Sequence, residues 1–307
     1  MEPVTHALSG TLCGLAARPL IPHVRWLVPL CLLASQAPDV DNFFANGDPE
    51  AYLLYHRGVT HSVFAPPAFA AVFALLAALV NRTLAVPWGR LFALFALVAG
   101  MEIWLDYVTS YGTMLLAPFS DARFTLDSVF IIDPFLTLPL VALLVAALAW
   151  RRRRAALALA GVLWVFLYPL GNKVVGTLLD TRLNAAAPAG VTVHVVPDAF
   201  TPLWWKTVAD DGERWTLSTV NILDVDAEQP GRTYERADPA IFARLGRQAS
   251  MFRTYAWFTR FPYVERRPGD DGRVLHFGDL GFASVQPVMS RVSEARGEPF
   301  RLTAHLG

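Results

Sequence analysis

Six apolar runs mark the first half of the chain, at roughly 7–17, 26–37, 63–80, 91–105, 135–150 and 155–171. Crossing the hydrocarbon of a bilayer takes about 20 residues, with about 17 as a lower limit. The run 63–80 meets that length without a charge, 91–105 meets it once its flanks are counted, and the last two come close. The runs 7–17 and 26–37 are shorter and read either as spans or as a re-entrant hairpin.

Beyond about residue 180 the pattern changes to short alternating stretches separated by turn residues. Val191 to Val196, Leu203 to Val208, Trp215 to Ile222, Val274 to Phe277 and Phe282 to Val285 read as strands. Between them, Ala240 to Phe261 spaces Ile241, Leu245, Met251, Tyr255 and Phe258 mostly three or four apart, as one helix would. The expected architecture is an α-helical membrane bundle of about six apolar helices over residues 1–175, followed by a small α+β soluble domain over 176–307.

Charge placement gives this pattern an orientation. If the six segments alternate across the bilayer, one face receives Arg18, Arg25, Arg82, Arg90 and the run Arg151 to Arg154, and the other face receives only Arg57 and Arg123 among many carboxylates. Arginine-rich loops stay in the cytoplasm. Both termini and the C-terminal domain are therefore expected outside, with the N-terminus retained because Glu2, Pro3 and His6 do not make a basic leader.

Composition agrees: 54% hydrophobic and 17% charged residues is apolar for 307 residues. The zero formal charge and the lack of a basic, aromatic-studded patch argue against a nucleic-acid partner. Cys13 and Cys31 both lie in apolar runs and read as small buried hydrophobes.

Against this apolar background, five stretches bring ionisable groups to one expected face. They are Thr5-His6, Pro38-Asp39-Val40-Asp41, His56-Arg57-Gly58-Val59-Thr60-His61-Ser62, Glu102 to Asp106, and Asp133-Pro134. Each has a plain structural alternative. His6 could be a cap or surface residue, Asp39 and Asp41 could be turn formers, and Asp133 could cap a helix with Pro134 in its first turn. Glu102 and Asp106, one helical turn apart, repel unless a cation lies between them. Jointly, imidazoles and carboxylates form a ligand set suited to zinc or manganese, in numbers sufficient for two or three ions. Paired divalent ions activate water and clamp phosphoester oxygens. Arg123, in a loop with Asp121 and Asp127, reads either as a phosphate-orienting group or as part of a solvated salt bridge.

These stretches, with Leu105-Asp106-x-x-Thr109-Ser110-Tyr111-Gly112-Thr113, Pro118-Phe119-Ser120, Pro202-Leu203-Trp204-Trp205 and Arg260-Phe261-Pro262, resemble the predicted membrane-bound metal-dependent hydrolases of bacteria, the YdjM-like group. That group is considered distantly similar to zinc-dependent phospholipase C and the S1/P1 nucleases. The resemblance implies that His6, Asp39, His56, His61 and Asp106 ligate metal, with Asp41 either a bridging ligand or the general base; Glu102 and Asp133 complete the candidate set. Many members of that group have His at the position of Glu102, and the carboxylate here shifts the site toward harder metals. The implied activity is that of a phosphoesterase at the outer face of the cytoplasmic membrane, with the bilayer as partner and a phospholipid as possible substrate. The alternative is a non-catalytic membrane protein whose metal site holds the fold or senses the ion.

Overall fold

The computed structural model describes residues 1–82, 85–225, 231–267, 273–286, 289 and 299–305. The chain divides into two units, Met1–Gly171 and Asn172–Gly307.

The first unit is helical. Its apolar runs form α1 (Pro3–Ala17), α2 (Leu27–Ala34), α5 (Ala65–Val80), α6 (Trp88–Tyr107), α7 (Pro134–Ala149) and the start of α8 (Arg154–Ala186). Two short helices, α3 (Asn42–Ala45) and α4 (Pro49–Tyr55), lie between α2 and α5. The expectation of about six spans is corrected here. Among the described residues, two helical stretches, Trp88–Tyr107 and Arg151–Ala186, are long and apolar enough to cross a membrane, and a third span exists only if Pro49–His61 and Ala65–Val80, bent by 70° at their break, act as one. At about 1.5 Å per residue, the 15 residues of α1, the 8 of α2 and the 16 of α7 fall short of the hydrocarbon thickness. In α8 the helix runs through Asn172 and Lys173, where the apolar run stops, because propensity persists across the change in polarity.

Packing gathers these helices around Leu12, Leu27, Cys31, Leu91, Phe95, Leu105, Leu136 and Val165. Cys13 and Cys31 are free and buried. A Cβ on Gly10 would lie 2.5 Å from the Cys31 carbonyl oxygen, so glycine there is what lets α1 and α2 approach. Trp104 Nε1 donates to the Val165 carbonyl at 3.0 Å, tying α6 to α8. Outward-facing Val72, Leu75 and Leu79 on α5, Leu138 and Val145 on α7, and Leu163 and Leu167 on α8 give these helices an apolar exterior. The arrangement has a direction: α5 begins, α6 ends and α7 begins beside the candidate site, whereas Arg82, Arg90 and Arg151 to Arg154 lie at the opposite helix ends.

The second unit is built on a seven-stranded antiparallel sheet whose strands follow chain order, β1 (Thr192–Pro197), β2 (Trp204–Asp210), β3 (Arg214–Asn221), β4 (Arg232–Arg236), β5 (Pro262–Glu265), β6 (Val274–Asp279) and β7 (Leu302–His305). Val196, Val208, Trp215, Leu217, Tyr234, Phe261 and Tyr263 form its core. The single helix expected over 240–261 is two, α9 (Pro239–Leu245) and α10 (Ser250–Phe258), interrupted after Gly246, with Ala249 extended. The strand expected at 282–285 is absent. Asp279 instead accepts from the Arg260, Phe261 and Gly281 backbone amides at 2.8–3.1 Å and turns the chain at the end of β6.

Candidate metal centre

Four separate stretches of the first unit build the cluster. His6 sits in the second turn of α1, whose N-terminus is capped by Glu2 with Pro3 following. Asp39 and Asp41 lie in a 3-10 turn over Pro38–Asp41, started by the proline. His61 ends a second 3-10 turn, Val59–His61, and His56 follows α4. Gly58 makes that loop possible, because a Cβ there would lie 2.8 Å from the Tyr55 carbonyl oxygen. Glu102 and Asp106 occupy the last turns of α6 on one helix face.

The centre of the cluster is His61 Nε2. It lies 3.1 Å from Glu102 Oε1, 3.3 Å from Asp106 Oδ2 and 3.6 Å from Asp39 Oδ1. His61, Glu102 and Asp106 are buried, and Asp39 alone reaches the surface, its side chain 21% exposed. Despite this crowding, His61 Nε2, both Glu102 oxygens and both His6 nitrogens have no hydrogen-bond partner among the described residues. Buried polar atoms are seldom left so. Ligands of one tetrahedral ion, at about 2.0–2.2 Å from it, are separated from each other by about 3.3–3.6 Å. The residues present therefore fit a divalent metal: one imidazole nitrogen lies 3.1–3.6 Å from three carboxylate oxygens, and the lone pairs of His61 Nε2 and Glu102 are unused. Two groups bring one ligand atom from each residue within 4.8 Å of one another, Asp39–His61–Glu102–Asp106 and Asp39–Asp41–His56, with Asp39 common to both.

Around these atoms lies a bonded frame. Asp41 Oδ1 accepts from His56 Nδ1 at 3.0 Å, and its Oδ2 accepts from the Arg57 amide at 2.9 Å and the Thr60 hydroxyl at 2.9 Å, with His61 Nδ1 at 3.0 Å. One carboxylate thus holds the Nδ1 side of both imidazoles, which leaves each Nε2 for a ligand. Burial pushes the Asp39 and Asp41 carboxyls up, but the imidazole of His61 beside Asp39, and those of His56 and His61 on Asp41, outweigh it and keep both below the usual carboxylate range. Arg57 spans Asp106: its Nε is 2.7 Å from Oδ2, one terminal nitrogen donates to Oδ1 at 2.8 Å, and the other donates to the Asp106 carbonyl and the Thr109 hydroxyl. Its backbone φ of 59° is left-handed, unusual for arginine. His6 Nε2 lies 3.4 Å from Asp106 Oδ1, which the Met1 amine also contacts.

Seven of the eight candidate ligands, His6, Asp39, Asp41, His56, His61, Glu102 and Asp106, are thus brought together. Asp133 belongs to neither group. It caps α7, accepting from the Phe135 and Leu136 amides at 2.8 and 3.1 Å, and both its oxygens accept from the Tyr168 hydroxyl. Burial raises its carboxyl to about 6 even against those bonds. Arg123 donates to the Tyr111 and Gly112 carbonyls and, with Arg57, brackets the Tyr111 ring at 4.9 and 4.6 Å. Sequence reasoning missed the parts played by Arg57, Thr60, Thr109 and Tyr168. The signal for the first two was their position between His56 and His61, and Tyr168 had none.

The geometry can be set beside known proteins. The model of the YdjM inner membrane protein family matches residues 1–180, which include every residue of the cluster. This chain belongs to the YdjM inner membrane protein family. Membership supports an inner-membrane location and agrees with the apolar spans. A curated relative, the uncharacterized protein YfhP of Bacillus subtilis (strain 168), is 29% identical over 142 residues, 44% of this chain and 43% of that protein. The chain therefore matches less than half the length of that relative. No solved structure matches.

Proposed function

We propose that this YdjM-family chain is a membrane-bound metal-dependent hydrolase acting on phosphoesters at the extracytoplasmic face of the inner membrane. The observation that carries the reading is His61 Nε2, set at ligand spacing from three carboxylate oxygens with which it shares no hydrogen bond. Divalent ions bound by such donors lower the pKa of water and draw charge from phosphoester oxygens. Asp39, His61, Glu102 and Asp106 would hold one ion, zinc or manganese, with His6 adjoining. Asp39, Asp41 and His56 could hold a second, which would make Asp39 the bridge.

The other residues have roles of their own. Asp41 orients the two imidazoles, and the three donors around its Oδ2 favour this over the base role that its motif suggested. Arg57 offsets the charge of Asp106. Asp39, at the surface, marks the side open to substrate. The choice of phosphoesters rests on the resemblance to phospholipase C and the S1/P1 nucleases. The choice of face rests on arginines lying at the helix ends opposite the cluster.

The test is metal analysis of detergent-purified protein, followed by a panel of phosphodiesters and phospholipids with Glu102→Gln as the site-defective control. Turnover that requires bound metal and is lost in the control supports the reading. One observation favours a second reading, a structural or sensing site: four protein ligands already fill a tetrahedral shell. A metal-loaded wild type that hydrolyses none of the panel, yet loses thermal stability on chelation, would establish it.

A further inference from the structure

The stretches that carry the ligands also carry large apolar side chains that nothing covers. Phe43 and Phe44 directly follow the Asp39–Asp41 turn and are 82% and 67% exposed. Val59 and Phe64 flank His61 and are more than half exposed, and so is Phe119, at 81%. The segments that carry these positions are bonded to one another. Asp41 ties the first turn to Arg57 and Thr60, the Val63 amide donates to the Leu115 carbonyl at 2.9 Å, and the Phe119 ring meets Phe64 edge-to-face at 5.4 Å. Water-facing surfaces rarely gather so many exposed large apolar side chains on segments joined in this way.

What covers it follows from its continuation. Phe64 immediately precedes α5, whose outward Val72, Leu75 and Leu79 extend the same apolar character along a helix of an inner-membrane family. Segments that lie in the interface bury Trp, Phe and Leu side chains at the boundary between headgroups and acyl chains. We infer that the rim formed by Phe43, Phe44, Val59, Phe64 and Phe119 is a lipid-contact surface seated at the acyl–headgroup boundary, so that the open edge at Asp39 faces lipid headgroups. The partner is the bilayer itself, and the inference stands whether or not the cluster hydrolyses anything.

Cysteines introduced singly at Phe43 and Phe119 in the full chain, spin-labelled and reconstituted into phosphatidylcholine–phosphatidylglycerol nanodiscs, test it. Cys13 and Cys31 are buried, and the unsubstituted protein gives the labelling background. Both labels are expected to relax more with oxygen than with a water-soluble nickel chelate, at a depth near the headgroups. A control label at Asp211, in the exposed turn between β2 and β3, should show the reverse. Dominant nickel relaxation at 43 and 119 would overturn the inference by placing the rim in water. Low accessibility to both reagents with dipolar broadening would overturn it in favour of a second copy of the chain.

Discussion

Asp41→Asn tests the frame of the metal centre most directly, because it keeps the shape of the side chain and removes half of its acceptor capacity. The carboxylate meets His56 Nδ1 on one oxygen, and the Arg57 amide, the Thr60 hydroxyl and His61 Nδ1 on the other, all at 2.9–3.0 Å. Asparagine offers one oxygen and one amide nitrogen. The less costly placement keeps the oxygen toward the three donors and turns the nitrogen toward His56. That ring must then accept at Nδ1, which places its proton on Nε2 and removes the lone pair a metal would use. The Asp39–Asp41–His56 group should weaken first, and the His61-centred group less. Loss of such an orienting carboxylate lowers metal affinity by about 10- to 100-fold, or about 1.4–2.7 kcal/mol. Titration of detergent-purified protein with zinc or manganese against a competing chelator measures this. Wild-type affinity in the variant would refute the orienting role, and unchanged affinity with lost turnover would return Asp41 to the position of general base.

Three further outcomes are expected. Asp133, raised to about 6 by burial, lies above its unfolded value near 3.8, so its contribution is complete below that value and is lost as pH rises through about 6, by up to about 3 kcal/mol. Thermal midpoints should therefore fall from pH 5 to 7.5 in wild type by more than in Asp133→Asn, and parallel profiles would contradict this. Gly58→Ala forces a Cβ to within 2.8 Å of the Tyr55 carbonyl oxygen and should cost about 1–3 kcal/mol in a denaturation midpoint while lowering metal content; a silent substitution would show that the loop can yield. A cysteine replacing Arg90, at the start of the span Trp88–Tyr107, should be shielded from an impermeant reagent added outside cells, while one replacing Asp121, beyond its end, should react, and the opposite pattern would invert the proposed orientation.

The sequence was most informative where periodicity and chemistry coincided. Each apolar run has its helix, and the His56–Ser62 stretch lies beside Glu102 and Asp106, as the shared face required. Span number was not legible from hydropathy, because much of the apolar character of α1 and α2 goes into packing at Gly10 and the shared core, and runs of this length do not distinguish core packing from a span. Asp133 and Pro134 fit a helix cap as well as a ligand, and only Tyr168, distant in sequence, commits both oxygens. The break after Gly246 and the turn held by Asp279 depend on backbone contacts that residue spacing does not encode.

The cluster draws its ligands from residues 39, 61, 102 and 106, positions that belong to two turns and a helix end and that are not joined covalently except along the chain. An ion seated among them would close two long loops at once, and closing a loop of some 20 to 40 residues in the unfolded ensemble is worth about 3–4 kcal/mol when a disulfide does it. Ligands pre-gathered by Asp41 and Arg57 would let the ion act as a cross-link in a chain whose two cysteines remain free. Folding and metal supply would then be linked, so that the amount of this protein held in the membrane would follow the divalent-ion concentration of the compartment the cluster faces.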